Sequence, residues 1–318
     1  MVEKMNEKAL GVLTKLMDNA KDLGCSVSKQ GNGTTIIDAG INVPGSTEAG
    51  RLIGEICLGG LGSVKMTEMT IGDVTLPAVD VETNEVLTAC LLSQYAGWVI
   101  NHEGYFAMGS GPARALSVVE KLYKEFNYKD NSDVGVLILE TREFPPENIT
   151  EYLAEKCGIK TSGLYIICAP TACEVGSVQI SARVVEVGAH KLHEIKFDPS
   201  KITCGKGKAP VAPVLEKDTK AMGLTNDCIL YAGNTYYEID PADDDDLEEV
   251  ANQVPSSNSE QYGQPFYKLF KSVEFDFYKV DPLLFSPAEV TIKDNKTGKE
   301  YHAGALDAEV FLRSLGKE

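Results

Sequence analysis

The sequence predicts an α/β protein of two domains, each built on a mixed sheet flanked by helices. Three observations carry that expectation. A chain of 318 residues can bury a sizeable core and exceeds the usual length of a single domain. Stretches with helical periodicity alternate repeatedly with short β-rich runs. Two of those runs, VGVLIL at 134–139 and LYIIC at 164–168, are apolar almost throughout, the pattern of strands covered on both faces.

The elements follow in order. Residues 6–23 read as an amphipathic helix that Gly24 ends. CSVSKQGNGTTIID reads as a hairpin, with Gly31, Asn32 and Gly33 supplying a left-handed turn. INVPGSTEAGRLIGEICLGGLG is a proline-glycine loop leading into a glycine-rich helix, and SVKMTEMTIGDVTLPAVDVET offers two or three β-rich segments. NEVLTACLLSQYAGWVI, almost uncharged after Glu85, reads as a buried helix capped at Asn84. A strand-to-helix corner follows in NHEGYFAMGSGPARAL, with an amphipathic helix over 113–126. After strand 134–139, Pro146 suits the first turn of a helix, strand 164–168 comes next, and another helix begins near Ser177. DPSKITCGKGKAPVAPV, rich in Gly, Pro and Lys, fits a linker or binding loop. It suggests a division into a larger domain over 1–200 and a smaller one over 201–318, whose last hairpin and helix can return to the first domain. CILYAGNTYYEID reads as strand and turn, and DDDDLEEVANQV as a helix whose aspartates favour its N-terminus. AEVTIKDNKTGKEYHAG is a hairpin, and a short helix closes the chain.

Composition excludes several functions. Thirty basic against 47 acidic residues leave a net charge of −17, which opposes broad binding to nucleic acid or anionic membranes. No run is long and apolar enough for a membrane span, and the N-terminus lacks a signal peptide's apolar block, so a cytoplasmic protein is expected. The eight cysteines form no CxxC pair and read as buried, reduced thiols. Four scattered histidines spell no zinc signature, although His190 and His193 lie three apart. GxGxxG fails because Arg114 stands where its third glycine belongs, and neither GxxxxGK[ST] nor GxSxG occurs.

Two places could carry chemistry. In SVQISARVVEVGAHKL, read as one helix from a Ser177 cap, Arg183 and Glu186 are the only charges between Val178 and Ala189. Their i, i+3 spacing puts them on one face, where a solvated pair would contribute only ~0.2–0.5 kcal/mol. A helix apolar around most of its circumference is a buried one, so the pair faces an interior. It either pins helix to sheet or supplies a carboxylate for general-base work beside a guanidinium. The second place is the corner Gly109, Ser110, Gly111, with Arg114 a turn inside. It is either an efficient helix start at Pro112 or a cradle for a phosphate or carboxylate.

Three blocks in this order, IIDAGINVPGSTEAGRLIGEICLGGLG, NHEGYFAMGSGPARAL and CEVGSVQISARVVEVGAHKLHEI, closely resemble the methenyltetrahydromethanopterin cyclohydrolases of methanogenic and related archaea, over essentially the whole chain. The resemblance implies reversible opening of a methenyl bridge by water to give the 5-formyl compound, in methanogenesis and one-carbon metabolism. It implies a homotrimer of two-domain α/β subunits with the substrate between the domains. It also implies Arg183 and Glu186 as the catalytic pair. No cofactor is expected, because the carrier is itself the substrate, and the chemistry requires no metal. The carrier's anionic tail makes Gly109, Ser110, Gly111 and Arg114, with lysines of 201–208, candidate substrate ligands. The competing readings are a non-catalytic pterin- or anion-binding oligomer and a cysteine-dependent transferase using Cys168 or Cys173.

Overall fold

The computed structural model describes residues 4–276 and 279–317. The chain forms two compact units of near-equal size, one comprising residues 1–63 and 88–179, the other 64–87 and 180–318. Each contains a six-stranded mixed sheet with helices against it, as the α/β expectation requires. The division does not fall in the 198–214 segment. The β-rich stretch 64–87 belongs with the C-terminal half, and the closing hairpin and helix stay there too.

In the first unit the strands run in the order Ser26–Lys29, Thr35–Asp38, Leu164–Ala169, Gly135–Glu140, Tyr105–Ser110, Trp98–His102. The three central strands are parallel to one another and the outer ones antiparallel. The GNG hairpin forms, with Ser26 opposite Asp38 and Lys29 opposite Thr35, and of its three turn residues only Gly33 takes the left-handed conformation. Side chains alternate between two cores. Ile37, Val136, Ile138 and Ile167 pack with helices Met5–Asp18 and Thr47–Cys57, the latter capped by the Ser46 hydroxyl. Leu137, Leu139, Ile166 and Cys168 pack on the opposite face with Ile149 and Leu153 of helix Glu147–Cys157. That two-sided burial is why those strands carry unbroken apolar runs.

The uncharged stretch after Asn84 is buried as expected but is π-helical over Leu87–Gln94. The 113–126 helix is two short ones, Arg114–Ser117 and Lys121–Glu125, separated by Val118 in a left-handed conformation.

In the second unit the order is Glu300–Gly304, Glu289–Asp294, Asn234–Ile239, Ile202–Pro210, Val74–Thr83, Gly62–Ile71. The lysine- and glycine-rich segment read as a linker is thus a central strand, paired on both sides. Its glycines admit a helix. A Cβ on Gly205 would stand 2.7 Å from Val185 Cγ1, and one on Gly207 2.8 Å from Val184 Cγ1. Composition suggested a loop because glycine lowers strand propensity; here its lack of a side chain lets helix Val184–Glu194 lie close on the sheet. The aspartate run behaves as expected at the start of helix Leu247–Gln253, with Asp246 accepting from the amides of Glu248 and Glu249. No helix among the described residues is long and apolar enough to cross a membrane.

Candidate active site

The helix expected over 177–192 is divided. One helix, Glu174–Ser181, ends and another, Val184–Glu194, begins, with Ala182 and Arg183 in a turn between them. The Arg183 amide donates to Ile180 O at 3.0 Å, closing a tight turn, and the Ser181 hydroxyl donates to Pro210 O at 2.8 Å. No glycine or proline marks the break, so periodicity could not detect it.

The break changes where the two charged residues stand. Arg183 occupies the cap position of the second helix, and its carbonyl accepts from the Val187 amide at 2.8 Å. Glu186 lies in the first turn, toward the positive end of the helix dipole. Glu186 is only 4% exposed, and Arg183 is half-buried. Around them Val184, Val185, Ala189 and Leu192 are fully buried. The Tyr237 hydroxyl donates to Val185 O at 2.7 Å, fastening this first turn to strand Asn234–Ile239. Gly188 allows that approach, since a Cβ there would collide with the same hydroxyl. A buried carboxylate is therefore held on a rigid helix end, with an arginine on the preceding turn. Such an arrangement can remove a proton and orient the group that does so.

Sequence reasoning passed over Lys191, which reads as a surface residue in AHKL. It is buried, its ammonium donates to Leu283 O at 2.6 Å, and burial pushes its pKa down to about 8. Only the apolar neighbours Ala189 and Leu192 could have signalled it.

The Gly109–Arg114 corner is a packed turn. Gly109 and Ser110 end strand Tyr105–Ser110, and the Ser110 hydroxyl lies 3.9 Å from Cys57 Sγ. Gly111 takes φ +96°, a conformation that suits glycine, and its amide donates to Ser93 O. The Ala113 amide donates to Val136 O. Arg114 is fully buried. It forms a two-pronged ion pair with Glu120, 2.9 Å from Nε and 2.6 Å from Nη2, while Nη1 donates to Leu91 O and Ser93 O. Tyr95 and Tyr123 flank the guanidinium at 5.3 and 5.6 Å. Arg114 thus ties the π-helical segment to the corner, and the amides of Gly111 and Ala113 donate to backbone carbonyls. The 201–208 lysines likewise face acids, Lys201 with Asp245 and Lys206 with Glu82.

The cysteine-dependent alternative finds little support. Burial pushes the Cys168 thiol far up, and the Cys173 thiol donates to Pro170 O. Neither environment favours a thiolate nucleophile.

A family model described as Cyclohydrolase (MCH) matches residues 4–315. Among curated proteins, methenyltetrahydromethanopterin cyclohydrolase of Methanocaldococcus jannaschii is 45% identical over 316 residues, covering 98% of each chain. The protein of that name from Methanococcoides burtonii is 44% identical over 98% of each chain. That of Methanothermobacter marburgensis is 43% identical over 98% of this chain and 99% of its own.

Proposed function

Since this chain belongs to the methenyltetrahydromethanopterin cyclohydrolase family, we propose that it hydrolyses 5,10-methenyltetrahydromethanopterin reversibly to the 5-formyl compound, with Glu186 and Arg183 activating the water. The near-whole-chain match to relatives of that name supports the substrate. The observation that carries the residue assignment is Glu186 itself, a carboxylate 4% exposed in the first turn of helix Val184–Glu194, beside the fully buried Val184, Val185 and Ala189. A fold gains little stability from burying such charge, so it calls for another use.

The methenyl bridge is an electrophilic carbon between two nitrogens that share one positive charge. Water attacks that carbon, and Glu186 takes the proton it sheds and passes it to solvent. The new hydroxyl then loses its proton as the carbonyl forms. The bond to one nitrogen breaks, and that nitrogen takes a proton, with Glu186 as the carrier. The balance is one water consumed and one proton released. Arg183 orients the carboxylate and offers donors to the hydrated oxygen as it gains negative charge. In this reading the carrier is the substrate and no further cofactor takes part. The active species is a homotrimer working in the cytoplasm, within methanogenesis or related one-carbon metabolism.

The test is loss of the methenyl chromophore's ultraviolet absorbance on mixing enzyme and substrate. Glu186→Gln is expected to lower kcat by roughly 10²–10⁴-fold, the usual contribution of a positioned acid-base group. Arg183→Ala should also lower kcat. Near-normal turnover in both variants would refute the assignment.

A further inference from the structure

Helix Val184–Glu194 carries Glu186 in its first turn and lies over a smooth part of its sheet. Gly205 and Gly207 allow the close approach but present no side chains to key the helix against sliding or rotation. Two polar contacts serve instead. Near the start of the helix the Tyr237 hydroxyl donates to Val185 O at 2.7 Å, and further along the Lys191 ammonium donates to Leu283 O at 2.6 Å. The segment bearing Leu283 is itself anchored. Asp281 accepts from the Ser259 hydroxyl at 2.5 Å and from the Leu283 amide at 3.0 Å, and its own amide donates to Gln261 Oε1 at 2.8 Å. Beyond Leu283 the Ser286 hydroxyl donates to Val254 O. The carbonyl that Lys191 meets is a fixed post.

Lys191 is 1% exposed, and Ala189, Leu192 and Leu284 are buried too. Asp281 is the acid whose field reaches the ammonium. On the same helix His190 faces Glu194 at 3.7 Å, and His193 lies in the last turn. The sheet turns Gly205, Gly207 and Tyr237 toward the helix, while Lys206 and Lys208 pair with Glu82 and Asp80 on its other face. In the neighbouring turn Pro199–Lys201, Lys201 pairs with Asp245, and Asp198 before it accepts from the Ser200 amide. Burial pushes the Lys191 pKa down to about 8, against ~10.4 in an unfolded chain. Holding the charge therefore lowers stability below pH 8, a cost relieved as pH rises from about 8 toward ~10.4. A buried ammonium must keep its acceptor, whereas the neutral amine, a donor about half as strong, can leave it.

We propose that Lys191 is a positioning residue that, by gripping the Leu283 carbonyl, sets the seat of the helix bearing Glu186. This rests on Glu186 being the proton carrier and adds the residue that aims it. With Lys191 charged, the helix is pinned at two points and the carboxylate keeps one place. With Lys191 neutral, one pin is lost and the helix can shift over the glycines. Misplacing a reacting group by about 1 Å can lower a rate ~10²-fold. Because Lys191 aims the proton carrier and does not hold the substrate, its loss should appear in kcat and not in KM.

The experiment compares wild type, Lys191→Met and Lys191→Arg in steady-state hydrolysis of methenyltetrahydromethanopterin from about pH 6.5 to about pH 9.5, with the uncatalysed rate subtracted and thermal melts alongside. Lys191→Met should lower kcat at pH 7 roughly ten- to hundredfold with KM within about threefold, and should melt at or above the wild-type temperature because a costly buried charge is gone. Wild-type kcat should fall as pH passes about 8, and Lys191→Arg, whose guanidinium stays charged, should keep its rate there. A purely structural lysine would instead lower stability and rate together and leave the pH profile unchanged. A folded Lys191→Met with kcat within about twofold of wild type overturns the proposal, and so does a wild-type rate that stays level from about pH 7 to about pH 9. If Lys191→Met does not fold, the wild-type and Lys191→Arg profiles decide, and alkaline limbs at the same pH count against it. Should the wild type fail to turn over the substrate, or Glu186→Gln keep its rate, the reading of the site falls. Hydrogen exchange of helix Val184–Glu194 then judges the grip alone: its amides must exchange at least about fivefold faster in Lys191→Met than in wild type, and equal protection refutes it.

Discussion

At the residue scale, charge in an apolar setting is the informative signal, and its meaning depends on what surrounds it. Arg183 and Glu186 were conspicuous as the only charges in a greasy run, and Glu186 is indeed buried. Arg114 drew attention as the arginine one turn inside a glycine-rich corner, and it is engaged by Glu120 and two carbonyls. No local pattern in ARALSVVE reveals that partner, because a left-handed Val118 and a chain reversal bring Glu120 back onto the arginine. Breaking a buried pair by removing one partner costs about 3–5 kcal/mol, much of it from the charge left behind. Arg114→Ala should therefore lower unfolding free energy by that amount in urea titrations. Arg114→Lys should rescue little, since an ammonium cannot reproduce the fork that meets both Glu120 oxygens. A variant within about 1 kcal/mol of wild type would return Arg114 to the list of ligand-binding candidates.

At the element scale, glycine misled where it stood in a strand and periodicity misled where a helix broke. Residues 202–210 resemble a loop in composition, but they form a strand because helix Val184–Glu194 occupies the space above their glycines. The helix bearing Glu186 is thus seated by absent side chains. Gly207→Ala would put a Cβ 2.8 Å from Val184 Cγ1 and 3.0 Å from Val185 Cγ2, both on fully buried side chains. Overpacking of this kind costs about 1–3 kcal/mol. The expected result is a lower melting temperature together with reduced kcat, because the first turn carrying Glu186 must shift. Partial recovery of both in Gly207→Ala/Val184→Ala would assign the loss to this contact; no recovery would place the cause elsewhere.

At the scale of the whole molecule, each unit has its own core, so unfolding need not be a single transition and pH can act on one unit alone. The second unit buries Asp227, whose carboxylate accepts from the Phe266 amide at 2.8 Å, and burial pushes its pKa up to about 7. An unfolded aspartate titrates near ~3.9. The folded state therefore holds this proton more tightly than the unfolded one. Its contribution to stability is intact below pH ~4, declines as pH rises between the two values, and is gone above about 7. Asp227→Asn keeps an acceptor for the Phe266 amide without the charge. The variant should lose less stability than wild type between pH 5 and pH 8, with urea midpoints as the measure. Equal pH slopes in both proteins would show that Asp227 does not govern this range.

Much of this molecule was readable one residue at a time. Alternating periods identify α/β architecture, two apolar runs mark strands covered on both faces, and a paired charge in a greasy helix marks the candidate site. Those signals are local, because burial must be written into each segment that undergoes it. The interrupted course of the two units, the conversion of a lysine-glycine stretch into a central strand, the saturation of Arg114 and the meeting of Lys191 with the Leu283 carbonyl all depend on residues brought together from distant parts of the chain. Hydrogen bonds and close approaches of that kind have no period along a sequence, so they emerge only when the backbone has folded around them.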